Sequence, residues 1–159
     1  MKNYIKIITI FILFIPIISF ANVFDAGVRV TITSAELGEK RDLQILLPEN
    51  YQANLKATYP VIYLLDGDYN FHGVSGMLDL MANKGQLIPD VILVGLADKG
   101  TETYRKYMTP NESTSPIKAN KGAAEAFLAF LNNEVQPYIK KRYRVSAHST
   151  LVGHSIGGL

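Results

Sequence analysis

The sequence contains neither cysteine nor tryptophan, and it has little excess of charge of either sign. Without cysteine the chain cannot form a disulfide framework, a thiolate nucleophile, an iron–sulfur cluster or a zinc–thiolate site. Its 16 basic and 14 acidic residues give a net charge of +2, and no run of them could neutralise a row of phosphates, so we expect no nucleic-acid partner. Hydrophobic residues make up 48% of the 159, which is typical of one globular domain and excludes disorder, collagen and coiled coil.

The amino terminus, residues 1–21, has the pattern of a secretory signal peptide. Two lysines precede an uncharged run at residues 7–20, and Ser19 and Ala21 place small residues just before a cleavage point. The alternative, a membrane anchor, needs about 20 apolar residues, and this run is shorter. We therefore predict cleavage after Ala21, export to the periplasm or the extracellular space without a stable membrane anchor, and a mature domain at residues 22–159.

Apolar patterning in the mature chain predicts alternating strands and helices. Residues 28–32 and 42–46 alternate apolar and polar side chains, which predicts an antiparallel hairpin. Continuous apolar runs at 61–65 and 91–94 predict strands that are covered on both faces. Helical spacing between them predicts a crossover helix over residues 73–83, and therefore a parallel unit of strand, helix and strand.

The second half of the chain adds one helix, one loop and one strand to this scheme. Apolar residues at spacings of three and four predict a helix over residues 123–138, which Pro137 should end or kink. The basic residues at 140–144 are interpreted as a solvated segment near the negative end of that helix. Residues 97–120 are the longest irregular stretch and predict a loop that lines a site, and residues 149–152 predict a final strand.

That strand runs directly into residues 153–157 (GHSIG), which match the nucleophile-elbow pattern G-x-S-x-G. In this pattern a serine occupies a tight turn between a buried strand and a helix, so small residues are needed on either side of it. The turn presents the hydroxyl group at the carboxyl edge of the sheet. Ser155 is therefore the candidate nucleophile, and the alternative is a glycine-rich turn with an incidental serine.

A serine that transfers acyl groups also needs hydrogen-bond donors for the developing oxyanion. In this architecture one donor is the backbone N–H of the residue after the nucleophile, here Ile156, and the other comes from the loop after the third strand. That loop is predicted at residues 66–71 (DGDYNF). The Asp68 N–H is our candidate and the Gly67 N–H its alternative, against an ordinary Asp-Gly turn without such a role.

At this point the sequence resembles the putative esterase (esterase D-like) family of the α/β-hydrolases, which includes enterochelin esterases, feruloyl esterases and mycolyltransferases. The segments that carry the resemblance follow the family's order and together extend over most of the mature chain: residues 59–67 (YPVIYLLDG), 127–144 (FLAFLNNEVQPYIKKRYR) and 150–159 (TLVGHSIGGL). The resemblance implies an α/β fold with a mostly parallel sheet and an antiparallel amino-terminal hairpin. It implies Ser155 as nucleophile, Ile156 and the Asp68 region as the oxyanion hole, a small-molecule ester as substrate, and no metal or organic cofactor.

Two departures from the family pattern bear on function. Many relatives carry an aspartate just before a Leu-Thr-Pro-like segment, where this chain has Tyr107, which bears on loop architecture and substrate preference. The triad order in α/β-hydrolases is serine, acid, histidine, and four residues follow Ser155. We therefore expect the triad acid and histidine to be absent from this chain, and residues 22–159 to be an incomplete esterase domain without its carboxyl-terminal strands and helices.

All three histidines precede the candidate nucleophile. His154 is adjacent to Ser155, but neighbouring side chains diverge at a sharp turn, which disfavours it as a general base. His72 follows the predicted oxyanion loop and is a candidate substrate contact, with a structural, hydrogen-bonded histidine as the alternative interpretation.

Two function hypotheses follow from the sequence. The first is a serine ester hydrolase that acts through an acyl-enzyme on an extracytoplasmic carboxylic ester. In that case this chain alone should be nearly inactive, because an unactivated hydroxyl is a weak nucleophile, and it should expose a strand edge and apolar surface. The second is a non-catalytic remnant or a binding protein with an esterase-like fold.

Overall fold

The computed structural model of the protein describes residues 27–110 and 122–158. The predicted signal peptide and part of the predicted 97–120 loop lie outside the described residues. In chain order the described elements are β1 (Val28–Ser34), β2 (Glu39–Leu46), β3 (Tyr59–Leu64), α1 (Gly67–Leu78) with a π-helical continuation (Asp79–Lys84), β4 (Ile92–Leu96), α2 (Thr101–Met108), α3 (Ala124–Phe130), a π-helical turn (Leu131–Val135), α4 (Gln136–Arg142), β5 (Val145–Val152) and a 3₁₀ turn (Ser155–Gly158).

These strands form one sheet of five among the described residues, in the order β1-β2-β4-β3-β5. The amino-terminal hairpin of β1 and β2 is antiparallel, and β2 also pairs antiparallel with β4. By contrast, β3 runs parallel to both of its neighbours, β4 and β5. Parallel neighbours need crossover connections, and α1 provides the first while the helices after β4 provide the second. The α/β fold with an antiparallel hairpin is therefore confirmed.

Side chains of β3 alternate between two apolar clusters on opposite faces of the sheet. Val61 belongs to the larger cluster, together with Phe130 and Ile139 from the helices that precede β5. Leu64 belongs to a smaller cluster with Phe71 of α1. The sheet is thus held between α1 on one face and α3 and α4 on the other.

The crossover helix begins earlier than residues 73–83 suggest. It starts at Gly67, so the predicted loop at 66–71 is wrong beyond Asp66. Asp66 adopts a left-handed conformation with φ 55°, which turns the chain directly from β3 into α1. Glycines allow this close approach, because a Cβ atom on Gly67 would lie 2.8 Å from the backbone carbonyl carbon of Gly95. An Asp-Gly pair has the sequence signature of a turn, and here that turn is a single residue long.

The predicted loop at 97–120 is also partly helical, since residues 101–108 form α2. Tyr104, Tyr107 and Met108 recur at the spacing of one helical face, and Tyr107 is buried in the larger core cluster. This short periodic signal was present in the sequence. Residues 97–100 and 109–110 are irregular as predicted, and residues 111–120 of that predicted loop lie outside the described residues.

The helix predicted at 123–138 continues to Arg142, with a π-helical turn at Leu131–Val135 in its middle. Pro137 lies in the first turn of α4, directly after the π turn, where a missing N–H is tolerated. Of the two predicted effects, an end or a kink, the end is wrong, and α-helical bonding is interrupted just before Pro137 by the π turn. The strand predicted at 149–152 starts earlier, at Val145, because Val145 pairs with Tyr59 of β3.

The basic segment after this helix is only partly solvated. Lys140 and Lys141 are exposed in the last turn of α4, as predicted. Arg144 instead donates hydrogen bonds to the carbonyl oxygens of Tyr51 and Ala57, and its guanidinium lies 3.8 Å from the Tyr51 ring centre. These contacts of Arg144 link the start of β5 to the loop before β3.

Together with β1, strand β5 is one of the two outer strands of the sheet formed by the described residues. Its apolar side chains Leu151 and Val152 are 46% and 38% exposed, which matches the expectation of an open strand edge with apolar surface. Within residues 27–110 and 122–158, every helix falls short of the length and apolarity that a bilayer crossing requires.

The contact between α1 and β4 gives a test of this packing. Gly95→Ala places a methyl group 2.6 Å from Cδ2 of the buried Phe71, so we expect a loss of about 1 to 3 kcal/mol in the free energy of unfolding. The control Gly73→Ala adds a methyl group with nothing within 4 Å on α1 and should gain about 0.5 to 1 kcal/mol. Urea unfolding followed by circular dichroism measures both, and equal stabilities would contradict the packing described here.

Candidate active site

The parallel pairing of β3 with β5 places two strand ends side by side at one edge of the sheet. Leu64 pairs with Val152, and the Leu65 N–H then donates to the Val152 carbonyl oxygen at 2.9 Å. One residue later the first strand turns into α1 at Asp66, while the second turns into the 3₁₀ segment that begins at Ser155. The segments singled out as nucleophile and oxyanion regions are therefore neighbours in space.

Ser155 has the strained backbone that a sharp strand-to-helix turn demands. Its φ is 57°, a left-handed conformation that costs a residue other than glycine about 1 to 3 kcal/mol and is concentrated at functional sites. A Cβ atom on Gly153 would overlap the Gly157 carbonyl oxygen and lie 3.2 Å from Cδ1 of Leu65. The turn thus requires a glycine before the serine, and it leaves Ser155 itself exposed.

The amino terminus of α1 is the region predicted to supply the second oxyanion donor. The N–H groups of Tyr69 and Asn70 already donate to the Asp66 carbonyl oxygen, at 3.0 and 2.9 Å. Those of Gly67 and Asp68 lie in the first turn, where helix geometry leaves N–H groups without intrahelical acceptors and the helix dipole favours negative charge. The roles of Asp68 and of its alternative, Gly67, stay predictions, as does that of the Ile156 N–H.

The side chain of Asp68 is occupied elsewhere. Its carboxylate accepts a hydrogen bond from the Arg29 guanidinium of β1 at 3.1 Å. This exposed ion pair holds the side chain against the hairpin, so any oxyanion role of Asp68 belongs to its backbone.

Tyr104 of α2 joins the two strand ends, and sequence reasoning missed it. Its hydroxyl group donates to Oδ2 of Asp66 at 2.8 Å and lies 3.3 Å from the carbonyl oxygen of His154. A Cβ atom on Gly157 would overlap the same hydroxyl oxygen. Tyr104 and Asp66 are 38 residues apart in the chain, and the helical spacing of residues 104, 107 and 108 was the signal that could have placed the tyrosine.

This contact changes the ionisation of both partners. Burial raises the pKa of Tyr104, and the hydrogen bond to Asp66 and the negative charge of Asp66 raise it further. Burial also raises the pKa of Asp66, which the Tyr104 hydrogen bond partly offsets. The charge of Asp98 raises that pKa as well, and His154 lowers it. The phenol therefore stays protonated and remains a donor.

The three histidines lie in different places. His72 is exposed on α1, edge-on to the Phe71 ring at 6.4 Å, and its role as a substrate contact stays a prediction. His148 is exposed on β5, and His154 is exposed at the turn. Within residues 27–110 and 122–158, no hydrogen bond joins the Ser155 hydroxyl group to a histidine or a carboxylate, and no group of three or more metal-ligating side chains is assembled.

Tyr107, at the position where the family pattern predicts aspartate, belongs to α2 and is buried. The Arg41 guanidinium lies 5.4 Å from its ring centre, donates to the Ala97 carbonyl oxygen at 2.6 Å and pairs with Glu39 at 3.1 Å. The departure is therefore accommodated in the core under α2, and it leaves the turn at Ser155 untouched.

A cavity of about 620 Å³ lies at the other end of α1, near Leu46.

The chain is similar to a known protein family and to a curated relative. A family model described as "Putative esterase" matches residues 34–159. The ferri-bacillibactin esterase BesA of Bacillus subtilis is 28% identical over 149 residues, which cover 84% of this chain and 51% of BesA.

Among solved structures, an IroE-like serine hydrolase from Shewanella oneidensis is 34% identical, with a TM-score of 0.72 over 82% of this chain and 43% of that one. The BES protein from Bacillus cereus is 25% identical, with a TM-score of 0.68 over 86% of this chain and 56% of that one. This chain thus spans about half the length of the proteins that it resembles.

The raised pKa of Asp66 makes a prediction about stability and pH. Because the folded chain holds this proton more tightly than the unfolded chain, the carboxyl group favours folding below its unfolded pKa, and that contribution is lost as pH rises through the raised value. Asparagine tolerates the left-handed backbone, so the stability of Asp66→Asn relative to the wild type should rise as pH increases from below about 4.

Urea unfolding at several pH values measures this difference. Glu49→Gln, at an exposed carboxylate outside the Tyr104 contact, controls for the loss of one negative charge. A difference between Asp66→Asn and the wild type that stays constant with pH, or that falls as pH rises, would contradict the burial of this carboxyl group.

Proposed function

The chain belongs to the putative esterase family of the α/β-hydrolases, and on that basis we propose that it carries the nucleophile-bearing part of a serine ester hydrolase. The observation that carries the proposal is the conformation of Ser155. The residue is held at φ 57° in a tight turn at the end of β5, beside the amino terminus of α1. A strained, exposed serine next to the first-turn N–H groups of a helix is the arrangement that acyl transfer needs.

The proposed reaction follows from these groups. Oγ of Ser155 attacks the ester carbonyl carbon, and the Ile156 N–H and the Asp68 or Gly67 N–H stabilise the resulting oxyanion. Collapse breaks the bond to the alcohol and leaves an acyl group on Ser155, which water then releases as a carboxylic acid. The serine proton must pass through a base to the departing alcohol.

Within the part of the chain that the structure describes, no side chain that could act as this base is hydrogen-bonded to Ser155. We therefore expect this chain alone to react slowly, because the serine hydroxyl stays protonated near neutral pH. The same observation favours a second candidate function, a protein that binds an ester at this edge of the sheet without turning it over.

The substrate proposed is an extracytoplasmic carboxylic ester, and iron–siderophore esters are the first class to test. Two features support this choice. The relative from Bacillus subtilis is named a ferri-bacillibactin esterase, and residues 1–21 have the pattern of an export signal.

Covalent labelling tests the nucleophile. A fluorophosphonate probe at high concentration should modify the chain at Ser155, and Ser155→Ala should lower labelling at least about tenfold, because the strained serine is the residue that the oxyanion donors serve. Ser149→Ala, at an exposed serine on β5, should label as the wild type does. Peptide mass spectrometry locates the adduct, and labelling that survives Ser155→Ala would overturn the assignment.

Export has its own test. When the full chain is expressed in a bacterial host with a Sec pathway, the exported protein should begin at Asn22. Ala21→Arg should block processing, because the cleavage site requires a small residue there, whereas Ala26→Arg should not. Amino-terminal sequencing distinguishes these outcomes, and an exported chain that still begins at Met1 would contradict the prediction.

A further inference from the structure

Tyr104 lies outside every motif that the sequence carries, yet its hydroxyl group meets both halves of the candidate site. The acceptor at 2.8 Å is Oδ2 of Asp66, the residue just before α1. The His154 carbonyl oxygen at 3.3 Å belongs to the residue just before Ser155. One phenol oxygen therefore touches the segment that precedes the oxyanion helix and the segment that carries the nucleophile.

We propose that Tyr104 is a positioning residue whose hydroxyl group sets Ser155 against the amino terminus of α1. This inference rests on the proposed function, because the distance that it controls separates the nucleophile from the Gly67 and Asp68 N–H groups. Acyl transfer is sensitive to that distance, since a displacement of about 1 Å between reacting groups can lower a rate about a hundredfold.

The geometry around the phenol oxygen shows why a hydroxyl group is required here. Asp66 has a left-handed backbone and no side-chain hydrogen bond to the first turn of α1, so its carboxylate is directed to Tyr104 instead. The titratable groups that face this carboxylate are Asp98, after β4, and His154, at the turn. Without the hydroxyl group, Asp66 would lose its donor while the repulsion from Asp98 remained.

This arrangement explains why the second glycine of the G-x-S-x-G pattern, Gly157, has to be a glycine. A Cβ atom on Gly157 would overlap the Tyr104 hydroxyl oxygen, whereas the next nearest atom, Cζ of the same ring, lies 3.3 Å away. Gly157 is not one of the described glycines with a positive φ, so alanine fits its backbone conformation. The glycine is needed because the hydroxyl group occupies the space of its side chain.

A mutant cycle tests this contact independently of activity. Gly157→Ala should lower the folding equilibrium constant about tenfold by overpacking, and adding Tyr104→Phe should recover much of that loss because the overlapping oxygen is gone. Tyr107→Phe is the matched control, since it makes the same change one turn along α2 at a buried tyrosine that packs on Phe127. In the Gly157→Ala background it should recover nothing.

Two further measurements separate positioning from packing. Carbon-13 NMR of the Asp66 carboxyl group should show a higher pH midpoint in Tyr104→Phe than in the wild type, and no change in Tyr107→Phe. The rate of fluorophosphonate labelling at Ser155, per folded molecule, should fall at least about fivefold in Tyr104→Phe and stay unchanged in Tyr107→Phe.

Each outcome decides one hypothesis. Equal costs of Gly157→Ala with and without Tyr104→Phe, or an unchanged Asp66 midpoint, would overturn the inference. So would an unchanged labelling rate in Tyr104→Phe. If the wild type itself does not label at Ser155, the proposed nucleophile fails, and the mutant cycle with the Asp66 titration then decides the role of Tyr104 alone.

Discussion

The parallel pairing of β3 with β5 is the constraint on which the candidate site depends. Backbone hydrogen bonding between the two strands continues to Leu65 and Val152. Both strands therefore end, and the chain turns after each of them, at the same edge of the sheet. One turn starts a helix whose amino terminus attracts negative charge. The other exposes a serine, and the two features that acyl transfer requires therefore arise from one strand register.

This closeness has a conformational cost that the surrounding structure must offset. Asp66 and Ser155 both adopt left-handed backbone conformations, which side chains other than asparagine and aspartate rarely tolerate. Such strain persists when packing and hydrogen bonds determine the conformation more strongly than local preference does. Here the hydrogen bonds between β3 and β5 hold both turns from one side, and on the other side the Tyr104 hydroxyl group contacts Asp66 and the carbonyl oxygen of His154, the residue before Ser155.

Much of the fold was predictable because its signals are local. Strict alternation identified the hairpin, continuous apolar runs identified β3 and β4, and residues 153–157 carried a motif whose steric demands the turn at Ser155 displays. The start of β5 was missed because residues 145–148 (VSAH) contain no continuous apolar run, and Val145 joins the strand by pairing with Tyr59 of β3. The start of α1 was missed because Asp66 and Gly67 together have the composition of a longer turn.

The contact that sequence reasoning could not supply is the one between Tyr104 and Asp66. It joins residues far apart in the chain through a helix of eight residues in a segment that was expected to be irregular. Tyrosine and aspartate are common outside active sites, so neither residue marks one in the sequence. Only the folded position of α2 over the strand ends brings Tyr104 and Asp66 together. Motifs identify the reacting atom more readily than the groups that hold it in place.

The most direct test of the account is a crystal structure of the chain after reaction with an organophosphonate. We expect a phosphorus atom bonded to Oγ of Ser155, with the phosphoryl oxygen within hydrogen-bond distance of the Ile156 N–H and of an N–H in the first turn of α1. A phosphoryl oxygen directed to solvent, or an adduct on another residue, would contradict the claim that this sheet edge forms an acyl-transfer site.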